Sequence, residues 1–508
     1  MRSRTGTFVK RIPRVGWTAL AVAFWTTGAV SPEPLLAQRR PVGREAAEGL
    51  RYPELEFRPA SPVVHEVRGV PVFFLESHTL PLVTVFARFK GGFGRFPRDM
   101  MAAATALPSI LRYGGSVGMS PDSVDRTLEQ YAIQTSFGGG GEGVFSSVNT
   151  LTEHLDVALD MWSSLLARPA FDSAQIEIWR GREMESVRRR GDDPARLAFS
   201  EFNRLLYGDH PIGWEMEAGD LVPGQIGREV LAELHDRIVC PRGLTLGVTG
   251  DVTWSELRPR IEAMLARWPA CSGDVPPSPV PDIRQESGIF VIPRKSEQSV
   301  IVMAHAVSLR LEDSPEYFAA QIGNSILGGG GFSSRLLSRV RTEEGYAYSA
   351  SSLWTTPRNH DGLLGAITRT RPENTVPAIR LILDTMEELR ILPPSSSEVE
   401  TAVERIVNGF VFNFESPAQI VSRRMFYLAQ GLPDDWLERF LDGVERVDAA
   451  GVHEVLARHI RPEDMIVLIV GDPDRIGRDA LEALGPVTIL EIDDPATSFP
   501  SGSQRSRR

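Results

Sequence analysis

Residues 245–251 read Thr-Leu-Gly-Val-Thr-Gly-Asp, and residues 467–472 read Val-Leu-Ile-Val-Gly-Asp. Each is a short apolar and β-branched run closed by Gly-Asp, the pattern of a strand entering a turn. Gly250 and Gly471 stand 221 residues apart, and each run follows an Xaa-Pro pair, Cys240-Pro241 and Arg461-Pro462. Working outward, more of the same layout appears. Val72-Phe73-Phe74-Leu75 and Thr84-Val85-Phe86-Ala87 read as neighbouring strands, and Phe290-Val291-Ile292 with Ile301-Val302-Met303-Ala304 repeat them at an offset of 217. A helical segment follows each pair, Met100 to Leu111 and Tyr317 to Leu327, closing on Gly114-Gly115 and on Gly328 to Gly331. Features that keep their order and spacing this way indicate a tandem duplication. Strand pairs interleaved with helix pairs place each copy in the α+β class, a sheet with helices packed on one face. Leu155, Leu159, Trp162 and Leu166 recur at helical spacing and mark a core face rather than a cofactor box.

Composition bounds what such a chain does. Its 508 residues are 42% hydrophobic and 24% charged, enough for more than one buried core. Lys+Arg 55 against Asp+Glu 66 gives a net charge of −11, with no basic block, which argues against a phosphate-backbone ligand. Two cysteines, Cys240 and Cys271, exclude a disulfide-framework fold and a four-cysteine zinc cluster. Whether they pair is open at this stage, since the sequence does not carry their Cα separation.

The ends read as accessory segments. Arg2, Arg4, Lys10, Arg11 and Arg14 precede an almost charge-free run from Val15 to Val30, with small residues near Ala37. This fits a signal peptide over residues 1–38 and an exported protein of the periplasm or cell envelope; an uncleaved anchor is the other reading. After it come an N-terminal unit over 39–271, a proline-rich linker over 272–286, a C-terminal unit over 287–493 and a disordered tail over 494–508. Nothing after residue 38 is apolar for long enough to span a membrane.

The glycine run Gly328, Gly329, Gly330 and Gly331 lacks the lysine of a phosphate loop and follows a helix rather than a strand, so it is not a nucleotide site. It reads as a flexible helix–helix connector with Ser333 or Ser334 capping the next helix. That helix should end at Gly345, and Tyr346-Ala347-Tyr348-Ser349-Ala350 then alternates like a strand. A chain reversing at Gly345 brings Arg341 and Tyr348 together, where both could donate to a peptide carbonyl or a developing oxyanion. The plainer reading is an arginine at a helix C-terminus and a half-buried tyrosine.

From Leu327 to Ser349 the order of residues resembles the C-terminal motif of pitrilysin/insulinase-type (mitochondrial-processing-peptidase-like) zinc peptidases. Asp193-Pro194 and Tyr207-Gly208-Asp209-His210-Pro211 resemble that family too, and the likeness covers residues 65–490. It implies two homologous tandem units forming a clamshell, each with a mixed, largely antiparallel sheet. It also implies that Arg341 and Tyr348 are the family's substrate- and transition-state-binding pair.

The family's catalytic members carry His-x-x-Glu-His on the first unit's early helix, and this chain departs from that. The matching positions are Thr105-Ala106-Leu107-Pro108-Ser109, so Thr105 and Ser109 replace the zinc ligands and Pro108 replaces the general base. Glu185 matches the distal third ligand. None of the nine histidines offers a second pair four residues apart. No metal is expected on this chain. The resemblance implies instead the non-zinc subunit of a heterodimeric peptidase, with zinc on a sister chain carrying His-x-x-Glu-His and a peptide as substrate. The alternative is a catalytically inactive structural or assembly subunit of an envelope complex.

Overall fold

Twelve strands form two six-stranded sheets in a computed structural model that describes residues 59–283 and 287–492. The expected signal peptide at 1–38 and the expected tail at 494–508 lie outside the described residues.

The first sheet holds β1 (Val63–Val67), β2 (Val70–Glu76), β3 (Leu82–Lys90), β4 (Gln134–Gly139), β5 (Gly143–Leu151) and β6 (Leu244–Gly250), in the order β1-β2-β6-β3-β5-β4. The second holds β7 (Gly288–Pro293), β8 (Ser299–Val307), β9 (Ala347–Thr355), β10 (Gly362–Thr370), β11 (Ile466–Gly471) and β12 (Val487–Ile489), ordered β12-β7-β11-β8-β10-β9. Five strands therefore recur in one order, β2-β6-β3-β5-β4 matching β7-β11-β8-β10-β9. The two runs that first betrayed the repeat, β6 and β11, occupy the same interior slot. Each lies parallel to one neighbour and antiparallel to the other. Strands buried on both faces read as continuous apolar runs, which is why these two stand out in the sequence. The sixth strand breaks the symmetry: β1 joins antiparallel before the first copy, and β12 joins parallel after the second.

Each sheet carries its own helices on one face. Helices Met101–Tyr113, Leu155–Ala167 and Arg228–Ile238 close the first core, and Leu155, Leu159, Trp162 and Leu166 all point into it. Helices Pro315–Asn324, Thr375–Ile391 and Ala449–His459 do the same for the second.

The opposite faces are covered by an exchange. Helix Pro194–Tyr207 follows the first copy's helices in sequence, yet it packs Leu197, Phe202 and Leu206 on Val300, Val302, Leu468 and Val470 of the second sheet. Those three side chains are at most 2% exposed, which contributes roughly 5–9 kcal/mol as an upper figure. In return, helix Pro417–Gln430 lays Val421 and Met425 on Phe73 of the first sheet. Both helices start with proline at the first helical position behind a capping side chain, Asp193 or Ser416. The exchange also explains Gly247 within β6: a Cβ there would lie 2.5 Å from Val421 Cγ1 and 2.4 Å from Met425 Sδ.

Cys240 and Cys271 are joined as a disulfide, with Cα atoms 5.2 Å apart. It ties the end of helix Arg228–Ile238 to the segment leading into the second half. That segment is irregular and held on the first half, with Arg95 donating to the Pro276 carbonyl at 3.0 Å.

Candidate functional site

Helix Met101–Tyr113 packs against the edge strand β4 and against helix Ser173–Arg188. Thr105 is exposed, Ser109 half-exposed and Pro108 buried. Pro108 sits in the helix interior, where it has no N–H to give the Ala104 carbonyl. Its ring lies on the edge strand, so that a Cβ on Gly139 would stand 2.9 Å from Pro108 Cγ. The position where the resemblance calls for a water-activating carboxylate is thus packed with hydrocarbon. Glu185 lies on the exposed face of its helix and accepts from Arg189 Nε at 2.6 Å. Among the described residues no cluster of three or more His, Cys, Asp or Glu side chains could hold a metal ion.

Four of the histidines have partners of their own. His235 bonds the Leu166 carbonyl at 2.7 Å, His459 bonds Glu316 at 2.8 Å, and His65 stacks on Trp254 with ring centres 3.7 Å apart. His305 accepts the Arg461 N–H at 3.2 Å.

The glycine run is built into the second half as part of its packing. Helix Pro315–Asn324 continues through a π-turn, Ser325–Gly329, that presses on β9. A Cβ on Gly328 would stand 2.2 Å from the Ser352 nitrogen. The segment expected to be a flexible connector is therefore a close backbone approach. Ser334 does occupy the N-cap position of the next turn, but its hydroxyl donates back to the Gly331 carbonyl at 2.7 Å and does not cap.

The turn that follows carries three arginines within seven residues. Arg335 forms a bidentate pair with Glu398, at 2.7 and 3.0 Å, and reaches Glu388 at 3.4 Å. Its guanidinium, helped by the Ser395 cap, holds the Glu398 carboxyl down at about 2. Arg339 pairs with Glu388. These bridges fasten the turn to helices Thr375–Ile391 and Ser396–Phe410. Arg341 differs: among the described residues it has no acidic partner. Gly345, at φ +64, reverses the chain, and the Tyr346 N–H bonds the Val340 carbonyl at 2.9 Å. That reversal sets Arg341 Cζ 4.4 Å from the centre of the Tyr348 ring and 5.0 Å from that of Phe332. Tyr348 is 79% exposed and Phe332 75%. Arg341 and Tyr348 are the two residues that the reversal at Gly345 should bring together; Phe332 has no signal in the sequence beyond a large apolar side chain directly after four glycines.

A guanidinium flanked by ring faces is attracted through its own face and keeps its N–H donors, which lie in its plane, for other acceptors. The arrangement offers a charged donor and an aromatic hydroxyl at the outer edge of the second sheet. None of Arg341, Tyr348 and Phe332 belongs to a metal-ligand cluster among the described residues.

A family profile described as Peptidase M16 inactive domain matches residues 225–406, a span that includes this turn. That span is therefore similar to the inactive-type domain of M16 proteins, the pitrilysin/insulinase group that the sequence resembles. A protein of Helicobacter pylori called a non-peptidase homolog, YmxG, is 20% identical over 410 residues, covering 79% of this chain and 92% of its own. A peptidase M16 inactive domain from Pseudomonas fluorescens shares the fold at a TM-score of 0.73 and 21% identity, over 81% of this chain and 98% of that one. A chain of Complex III2 from Candida albicans also shares it, at a TM-score of 0.64 and 12% identity, over 84% and 100%.

Proposed function

We propose that this protein is the non-zinc subunit of a heterodimeric peptidase. A sister chain bearing His-x-x-Glu-His supplies zinc and the water-activating carboxylate, and Arg341 and Tyr348 of this chain bind the peptide and steady the transition state. The observation that carries the reading is Arg341 itself. Two of the three arginines on its turn are committed to carboxylates, while the third is held between exposed rings with its donors uncommitted among the described residues. An Arg fork in that state suits a peptide carbonyl or an oxyanion. The hydrocarbon packing at Pro108 supports assigning the metal to another chain. Export to the periplasm or envelope belongs to the same proposal, and the Cys240–Cys271 disulfide supports an oxidising compartment.

The test is to capture tagged chain from its native envelope extract and measure co-eluting protein, zinc and peptide cleavage. The proposal expects a second chain of similar size, about one zinc per pair and peptidase activity. The chain eluting alone, metal-free and inactive would favour the second reading, a structural subunit, for which the likeness to a Complex III2 chain is the specific support. A lone chain that holds zinc and cuts peptides would overturn both.

A further inference from the structure

Between the two halves, far along β9 from Tyr348, lies a cavity of about 570 Å³. It is bounded by the turn of the β4–β5 hairpin, at Gly141 and Glu142, and by the turn of the β9–β10 hairpin, from Thr356 to His360. The His210-Pro211 segment and the exchanged helix Pro417–Gln430, through Phe426, supply further walls. A volume of this size suits a small ligand or one or two residues of a peptide.

Most of its polar groups are already satisfied. Glu142 is neutralised by Arg95 at 2.5 Å and accepts from Ser278. His210 accepts the Ile212 N–H at 3.2 Å through Nδ1, which leaves its Nε2 facing the Pro279 carbonyl at 3.3 Å. His360 faces the Asp361 carbonyl through Nδ1 at 2.8 Å. Arg358 differs in its charge. It is half-buried, and its Nε and Nη1 donate to the carbonyls of Gln430, at 3.1 Å, and Leu311, at 2.7 Å. Those bonds fix its plane without cancelling its charge, and among the described residues no carboxylate pairs with it. A positioned, uncompensated guanidinium in one cavity with Trp214 and Phe426 is complementary to a carboxylate attached to an apolar group.

We propose that this cavity binds the C-terminal residue of a peptide ending in a large apolar side chain, with Arg358 taking the α-carboxylate. An occupant would touch the tips of both edge hairpins at once. The site is separate from Arg341 and stands whether or not that arginine contacts substrate.

Calorimetry on the full chain tests it with three probes: acetyl-Ala-Ala-Phe as the free acid, the same peptide as its C-terminal amide, and acetyl-Phe. The free-acid tripeptide should bind at least tenfold more tightly than the amide. Arg358→Gln should erase that difference, and Arg358→Lys should retain part of it. Equal binding of acid and amide, or no binding of the acid at millimolar concentration, would overturn the proposal. So would tight binding of acetyl-Phe with none of the tripeptide, which would make the ligand a free acylated amino acid. The acid-against-amide comparison needs no variant, so a misfolded Arg358→Gln protein does not weaken it.

Discussion

Pro108 and Gly139 are in mutual contact: the proline ring fills the space above the edge strand that a Cβ on the glycine would enter, at 2.9 Å. The residue at the position where the resemblance calls for a carboxylate is therefore also a packing element of the edge strand. A carboxylate returned to residue 108 would be buried against backbone, where it would need a partner that the neighbouring Thr105 and Ser109 hydroxyls supply poorly.

Pro108→Ala restores an N–H to the helix interior at the cost of part of that contact. An interior proline costs about 3 kcal/mol relative to alanine, and the lost packing returns some of this. The variant should be more stable by about 1–2 kcal/mol. The check is a higher urea midpoint at unchanged slope; a lower midpoint would mean that the ring's contact with β4 outweighs the helical bond.

Gly247 is the contact point of the exchanged helix on the first sheet. Gly247→Leu forces a side chain into space held by Val421 and Met425, and should destabilise the protein by about 1–3 kcal/mol. Denaturant unfolding measures this. Pairing the substitution with Met425→Ala should recover part of the loss, since the two sites share one space.

Glu398 supplies a pH dependence with a definite sign. Its carboxyl is held at about 2 against an ordinary 4.5, so the folded state prefers it ionised. That contribution is fully present above pH 4.5 and fades as the pH falls through about 2. Glu398→Gln should flatten the acid limb of stability over this window. Because the pair is partly exposed, the effect will be smaller than a buried bridge would give. An unchanged acid limb would show that Arg335 and Glu398 do not hold the turn.

Much of this was legible in the chain because hydrophobic runs carry period and order. The repeat could be read from β6 and β11, since strands covered on both faces write an unbroken apolar run. The approach of Arg341 to Tyr348 followed from one glycine between a helix and a strand. The exchange of helices was not legible. The pattern of Pro194–Tyr207 shows that a face is buried, but periodicity does not say against which sheet. Phe332 was missed because an exposed ring beside glycines has no periodic signature. Ser334 was misjudged because a hydroxyl can donate backward as readily as it caps. The cysteine pair required a Cα distance, which only folding supplies.

On the proposed function, Arg341 and Tyr348 meet the peptide while a partner chain holds the zinc. The most direct measurement is peptide cleavage and zinc content of the assembled pair carrying Arg341→Ala or Tyr348→Phe. Cleavage should fall on the order of 10- to 1000-fold with zinc per pair unchanged. Full cleavage by both variants would contradict the claim and leave the stack of Arg341, Tyr348 and Phe332 as surface packing.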